Sequence, residues 1–393
     1  MAKRFRKLHG DPIIWLVVLL LAMISIVAVY SSSSALAYKN DTTTSAYLLK
    51  QSVFVIIGFA FLLACYIFPL KGYRLLSIPA FIVSIGCLFY VIVGGAKLNE
   101  GVRWIQIGEH LSFQPSELTK IAVVLYLARI LESKSFKTFK EYAIWILAPL
   151  GITCILSIYG SVSATLIICL TAFVILICAG IKWRYIWYTI GIAVVALVII
   201  FAVNKLTGKF NRIETFTARI ERFFVKEDLS AMTAEELTNH KNKNFQSEEA
   251  KEAIQLGGFF GRGPGNSLKK DTLPHPYSDF IFALIVEEMG LLGGGIVILL
   301  YLWFFSRCIA IARSCSRTDT TIIVLGLGFL ITLQAFIHIL VNVGIFPVTG
   351  QTLPLVSLGG TSYVIMSCAF GIILSVNRTI EIKYEDKETV KNE

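Results

Sequence analysis

The feature that most constrains this chain is a succession of apolar runs separated by short polar loops. Each run is roughly 20 residues long, enough as a helix to cross the ~30 Å hydrocarbon core of a bilayer. Runs begin near Ile13, Ser52, Leu75, Tyr142, Val162, Tyr185, Phe280, Thr321 and Ser362. A tenth, from Ser116 to Leu131, is interrupted by Glu117, Lys120 and Arg129. With 55% hydrophobic and 16% charged residues, a water-soluble fold could not hide its apolar surface. The expected class is all-α: one polytopic membrane domain of ten transmembrane helices over residues 1–393.

The loop charges support ten crossings. An even count puts both termini on one side, together with Lys3, Arg4, Arg6, Lys7, Lys71, Arg74, Lys134, Lys137, Lys140, Lys182, Arg184, Arg307, Arg313 and Arg317. The opposite short loops hold few basic residues, among them Lys39, Lys97 and Arg103. By the positive-inside rule the termini, including the 377–393 tail, are expected in the cytoplasm. The net charge of +10 then reflects this inner-face bias and an attraction to anionic membrane lipids. Basic residues scattered over loops argue against a nucleic-acid partner. The eight cysteines form no CxxC pair. They read as small apolar residues rather than as a metal site or disulfide framework. The first run has no A-x-A-like cleavage site, so it is expected to be a span.

Two outer-side segments depart from simple tethers. Residues 205–278 form a long extracytoplasmic loop between the seventh and eighth helices. It contains the apolar-periodic basic stretch RIETFTARIERFF (212–224), and loops of this length are normally functional or disordered. Residues 96–115, AKLNEGVRWIQIGEHLSFQP, interleave aromatic and polar residues like a re-entrant or interface-lying segment.

The polar residues of chemical interest fall on this outer side. They are Arg103 and Trp104; Glu117 and Lys120, on one helix face by their i, i+3 spacing; the run GGFFGRGPGNSLKK with Asn266, Ser267, Lys269 and Lys270; Asp279; and the uncharged PVTGQTLPLVSLGGTS. Each has a plainer reading. Glu117 and Lys120 could form only an intrahelical ion pair, the glycines only a turn, and Asp279 only an N-cap. Glu287 and Glu288 lie inside the eighth apolar run and are expected to face the bundle and pair with cations or hydroxyls. Taken together, the groups suit a large anionic, lipid-linked substrate entering from the outer leaflet. Arg103, Lys120, Lys270 and glycine N–H groups could hold a pyrophosphate. A rim carboxylate beside Phe280 and Phe282 could serve as general base.

Four ordered blocks carry a resemblance over nearly the whole length: GVRWIQIGEHLSFQPSELTK (101–120), GGFFGRGPGNS (257–267), LPHPYSDFIFALIVEEMG (273–290) and PVTGQTLPLVSLGGTS (347–362). They resemble the SEDS proteins (shape, elongation, division, sporulation), which include FtsW and RodA. The resemblance implies a ten-helix peptidoglycan glycosyltransferase polymerising lipid II, an undecaprenyl-pyrophosphate-linked disaccharide-pentapeptide, at the outer face of the cytoplasmic membrane. It implies that Asp279 is catalytic, and that Arg103, Glu117, Lys120, Asn266, Ser267 and Lys270 contact substrate. Basic residues or a divalent cation (Mg or Mn) would offset the leaving pyrophosphate's charge. A monofunctional class B penicillin-binding protein and other division-machinery membrane proteins are the implied partners.

GRGPGNS with TLPLVS is similar to division-type members, PVTG to elongation-type ones. Two departures stand out. YGSVSAT (159–165) places Ser161 where many members carry an acid, and YSDF replaces the common HTDF, leaving His275 as the nearby histidine. A lipid II flippase and a non-catalytic division scaffold are the competing functions. The outer-side clustering and the lack of an inverted repeat weigh against transport.

Overall fold

The structure is a computed structural model describing residues 9–33, 38, 41–94, 96–98, 101–107, 111–207, 217 and 234–392. Eleven helices are described: α1 Pro12–Ser32, α2 Thr44–Ile67, α3 Leu70–Gly94, α4 Pro115–Ser133, α5 Phe139–Gly160, α6 Val162–Cys178, α7 Trp183–Thr207, α8 Ala234–Gly257, α9 Ile281–Ser314, α10 Thr318–Val343 and α11 Thr361–Asn392. Seven of them (α1, α2, α3, α5, α9, α10 and α11) are long and apolar enough to cross a membrane, and α6 and part of α7 are shorter apolar helices. The charged α4 is nevertheless among the most buried, with Ala122, Val124, Leu127 and Ala128 almost wholly enclosed. It packs against α3, α10 and α6.

Three expectations change. Helices α2 and α3 start earlier than the apolar runs at Ser52 and Leu75, because helix continues through the polar turns that precede them. The described residues of the 96–113 segment are strands rather than helix or coil. They form an antiparallel sheet of β1 Ala96–Leu98, β2 Gly101–Ile107 and β3 Leu111–Phe113. The alternating, β-branched GVRWIQI suits a pleated surface, and Thr361 Oγ1 donates to Ser112 O at 2.7 Å, pinning β3 to the start of α11. The all-α expectation therefore holds for the bundle and fails here. Finally, within the 205–278 segment α7 runs on to Thr207 and the polar α8 occupies 234–257. The stretch 212–224, apart from Thr217, lies outside the described residues.

One end of the bundle is tied by ion pairs. Asp11 caps α1 through Ile13 N and Ile14 N and pairs with Arg307 at 2.6 Å. Arg74 pairs with Asp319, Arg317 with Glu132 at 3.0 Å, and Gly10 N and His9 meet Glu381 and Glu385 on α11. The first and last described stretches thus share one end, as an even number of crossings requires.

Candidate active site

Asp279 sits on a turn just ahead of α9, half-buried. Pro274 and Pro276 restrict the chain there, and His275 takes a left-handed φ of 50°. His275 O then accepts from both Ser278 N and Asp279 N at 3.1 Å. Three successive carbonyls are held from outside the turn. Leu358 N donates to Tyr277 O at 2.9 Å, Ser357 Oγ to Ser278 O at 2.7 Å, and Asn342 Nδ2 to Asp279 O at 3.1 Å. Asn342 Oδ1 also accepts from Ala283 N at 3.0 Å. That satisfies a first-turn donor of a helix whose own N-cap, Phe280, has no capping side chain.

Tyr277 Oη lies 3.1 Å from His275 Nδ1. Burial raises the Tyr277 pKa above the usual tyrosine value, and the charges of Asp279 and Tyr47 add to the rise. The hydroxyl therefore keeps its proton at neutral pH.

The loop that holds the turn is itself buried. Leu353, Leu355, Val356 and Ser357 are all within 3% exposure, so this segment enters the bundle rather than crossing its surface. Its backbone groups are satisfied by Ser25 Oγ on Val356 O at 2.7 Å, Tyr301 Oη on Pro354 O and Ser357 Oγ on Leu353 N. Gln51 Nε2 in turn donates to Ser25 Oγ.

Glu117 and Lys120 form a buried ion pair at 2.7 Å. Lys120 Nζ also donates to Gln334 Oε1 and approaches Gln351 Oε1 at 3.5 Å. Gln334 Nε2 reaches Thr352 O at 3.0 Å, and His338 Nδ1 lies 2.8 Å from Gln351 O. Asn342 Nδ2 closes the chain on His338 O. A continuous polar path thus links Glu117 and Lys120 to the Asp279 turn. Gln334, His338 and Asn342 are spaced i, i+4, i+8 and line one face of α10. Glu117 Oε2 and His338 Nε2 are buried with no hydrogen-bond partner among the described residues, so polar capacity is left over inside this cluster.

The glycine run plugs a break in α9. Gly290 has φ 71°, and there Arg262 N and Gly263 N donate to Glu287 O and Glu288 O while Leu291 N and Leu292 N donate to Gly258 O and Phe259 O. A Cβ at Gly261 or Gly290 would lie 2.2 Å from a facing carbonyl oxygen, so only glycine allows this approach.

Glu287, fully buried, accepts from Ser267 Oγ, Leu268 N and Lys269 N. Glu288 accepts from Ser31 Oγ. Both acids pair with hydroxyls inside the bundle, as expected of them. Ser267 is buried, and its hydroxyl holds the loop together, also accepting from Lys270 N at 3.0 Å. Asn266 is exposed and donates to Arg262 O. Lys270 Nζ is exposed and donates to Gly265 O. Ser161 caps α6 through Ala164 N. The Arg103 backbone lies in β2, and its side chain lies outside the described residues. No three His, Cys, Asp or Glu side chains gather as a metal site among the described residues. Sequence reasoning missed Gln334, His338, Asn342, Gln351 and Ser357. The four-residue spacing of polar side chains in ITLQAFIHILVNV was the available signal.

What these parts can do together is hold a carboxylate at a fixed place, next to a protonated phenol and at the edge of a buried polar network. That arrangement can take up a proton from a bound hydroxyl. Residues 11–382 match the family model of FtsW/RodA/SpoVE cell cycle proteins. The probable peptidoglycan glycosyltransferase FtsW of Nitrosomonas europaea is 30% identical over 93% of this chain and 92% of its own. Its counterpart from Trichlorobacter lovleyi is 28% identical over 97% and 96%. Among solved structures, a chain of a peptidoglycan synthase complex that coordinates polymerization and crosslinking superposes with TM-score 0.74 at 23% identity, covering 94% of this chain and 98% of that one. The rod shape determining protein RodA of Thermus thermophilus gives TM-score 0.66 at 22% identity, covering 94% and 97%.

Proposed function

The chain belongs to the FtsW/RodA/SpoVE family of cell cycle proteins, and from that premise we propose that it is a peptidoglycan glycosyltransferase of the division type. It polymerises lipid II into glycan strands at the outer face of the cytoplasmic membrane. The observation that carries the reading is the anchoring of Asp279: three consecutive backbone carbonyls clamped by Leu358, Ser357 and Asn342. A mere helix cap would not need its preceding turn held from a second helix and a buried loop. Supporting the division type, the relatives described above are FtsW proteins over nearly their full length.

In this reading α1–α7 and α9–α11 make ten crossings. The ion-paired end faces the cytoplasm and the Asp279 end faces outward. The Asp279 carboxylate takes the proton from the acceptor sugar's 4-hydroxyl as that oxygen bonds to the donor's anomeric carbon. The bond from that carbon to the pyrophosphate oxygen breaks, and undecaprenyl pyrophosphate leaves. Arg103 and Lys270 meet the pyrophosphate, while Glu117 and Lys120, engaged with Gln334 and Gln351, hold the polar lining in shape. A class B penicillin-binding protein crosslinks the strands. Its involvement is supported by the fold shared with the synthase-complex chain.

The test is to place the purified protein and its class B partner in vesicles with labelled lipid II. Glycan strands of many repeats are the expected product. Movement of lipid II between leaflets with no strands would instead make the chain a transporter.

A further inference from the structure

A groove of about 720 Å³ opens between the start of α5 and the start of α7, far in sequence from the Asp279 turn. Lys137 and Arg184 line it, as do Gly191 and Ile192 farther along α7. From Arg184 to Ile192 is about two helical turns, roughly 12 Å at 1.5 Å per residue. Trp187 and Tyr188 line the groove between them. Arg184 is fixed from its back side: Nε donates to Tyr188 Oη at 2.7 Å, and the guanidinium lies 5.5 Å from that ring. The base of α7 is anchored by Tyr185, whose ring stacks on Tyr142 at 5.2 Å. Lys134, over the Trp145 ring at 3.6 Å, Lys140 and Lys182 add cations nearby, on the end of the bundle where Glu132 meets Arg317. The nearby acid Glu141 accepts from Lys137 N at 3.1 Å. Neither the Lys137 ammonium nor Arg184 has a carboxylate partner among the described residues.

We propose that this groove is a binding site for an anionic phospholipid of the surrounding membrane. Its phosphate lies between Lys137 and Arg184, and an acyl chain follows α7 past Trp187 towards Ile192. The groove's polarity runs as a lipid's does, cationic at the headgroup level, aromatic at the interface and apolar beyond. A small soluble anion would leave the apolar end unused. A zwitterionic lipid would gain less, because its own ammonium group offsets the attraction of its phosphate to the two cations. The site is independent of the role given to Asp279.

Native mass spectrometry of the delipidated full chain, titrated with phosphatidylglycerol or phosphatidylcholine of the same acyl chains, tests this. The wild type is expected to retain phosphatidylglycerol roughly thirtyfold better, since each cation near an anionic lipid is worth about fivefold. Lys137→Gln with Arg184→Gln should abolish that preference, while Lys71→Gln with Lys383→Gln should keep it. A phosphatidylglycerol analogue with a photoactivatable acyl chain, on the unsubstituted protein, should label α7 around Gly191–Ile192. Equal retention of the two lipids by wild type would overturn the proposal. So would an unchanged preference in the Lys137/Arg184 variant, labelling only at other helices, or displacement of the lipid by glycerol 3-phosphate at equal concentration.

Discussion

Replacing Asn342 by leucine should slow the enzyme without loosening its hold on substrate. Asn342 is fully buried and makes three hydrogen bonds, at 3.0 Å from Ala283 N, 3.1 Å to Asp279 O and 2.8 Å to His338 O. Leucine fills a similar volume but leaves the Ala283 N–H buried without an acceptor, a cost of about 1–3 kcal/mol. It also removes the side-chain bond from Asn342 to Asp279 O, worth about 1 kcal/mol more.

That energy is spent on the turn that aims the carboxylate, and a displacement of about 1 Å there can lower turnover by about a hundredfold. The expected outcome in a lipid II polymerisation assay is a 10- to 100-fold lower kcat with KM within about threefold of wild type. Deuterium uptake should rise at residues 275–284. Thr332→Val is the control: it removes a bond to Gly328 O elsewhere on α10, costs about 1 kcal/mol and should leave kcat unchanged. Wild-type kcat in Asn342→Leu, or an equal fall in the control, would refute positioning through Asn342.

Other outcomes follow from the same contacts. Gly290→Ala should destabilise the fold by more than the about 1–2 kcal/mol that a left-handed residue with a Cβ costs. The added carbon meets Phe259 O at 2.2 Å, and a large fall in melting temperature checks it. Glu287→Ala removes the acceptor of Ser267 Oγ, Leu268 N and Lys269 N. It should cost about 3 kcal/mol and expose residues 263–270 to hydrogen exchange. Lys120→Met alone leaves Glu117 buried without its partner and should cost about 3–5 kcal/mol, whereas adding Glu117→Gln should recover much of that in thermal melts.

The Tyr277 pKa is raised by burial and then by Asp279. Any stability that this shift contributes is present below about pH 10, the unperturbed tyrosine value, and is lost only as pH rises through the higher folded value. Tyr277→Phe should therefore leave the shape of the pH–rate profile between pH 6 and 9 unchanged.

The long apolar helices were legible because a bilayer demands them and little else can satisfy it. The stretch broken by Glu117, Lys120 and Arg129 is likewise a helix, α4, as the balance of loop charge called for. The sheet at 96–113 was not legible. Its strands are short, and β3 is pinned by Thr361, far along the chain. Asp279 stood out as an acid at the mouth of an apolar run. Its supports did not, because Asn342, Ser357 and Leu358 are brought to it only by the fold. Glycine spacing in GRGPGNS suggested a phosphate cradle, yet Gly261 serves the docking of the loop on the broken α9. Sequence shows that glycine is needed, not what approaches it.

The most direct test of the central claim is to compare wild type and Asp279→Asn for lipid II binding and for glycan strand formation in the same vesicles with the class B partner. Asparagine keeps the size and backbone anchoring but cannot take up the proton. The account predicts lipid II affinity within about threefold of wild type and strand formation lower by 10² or more, the scale of general-base catalysis. Strand formation by Asp279→Asn at near wild-type rate would show that the carboxylate held on this turn is not the base.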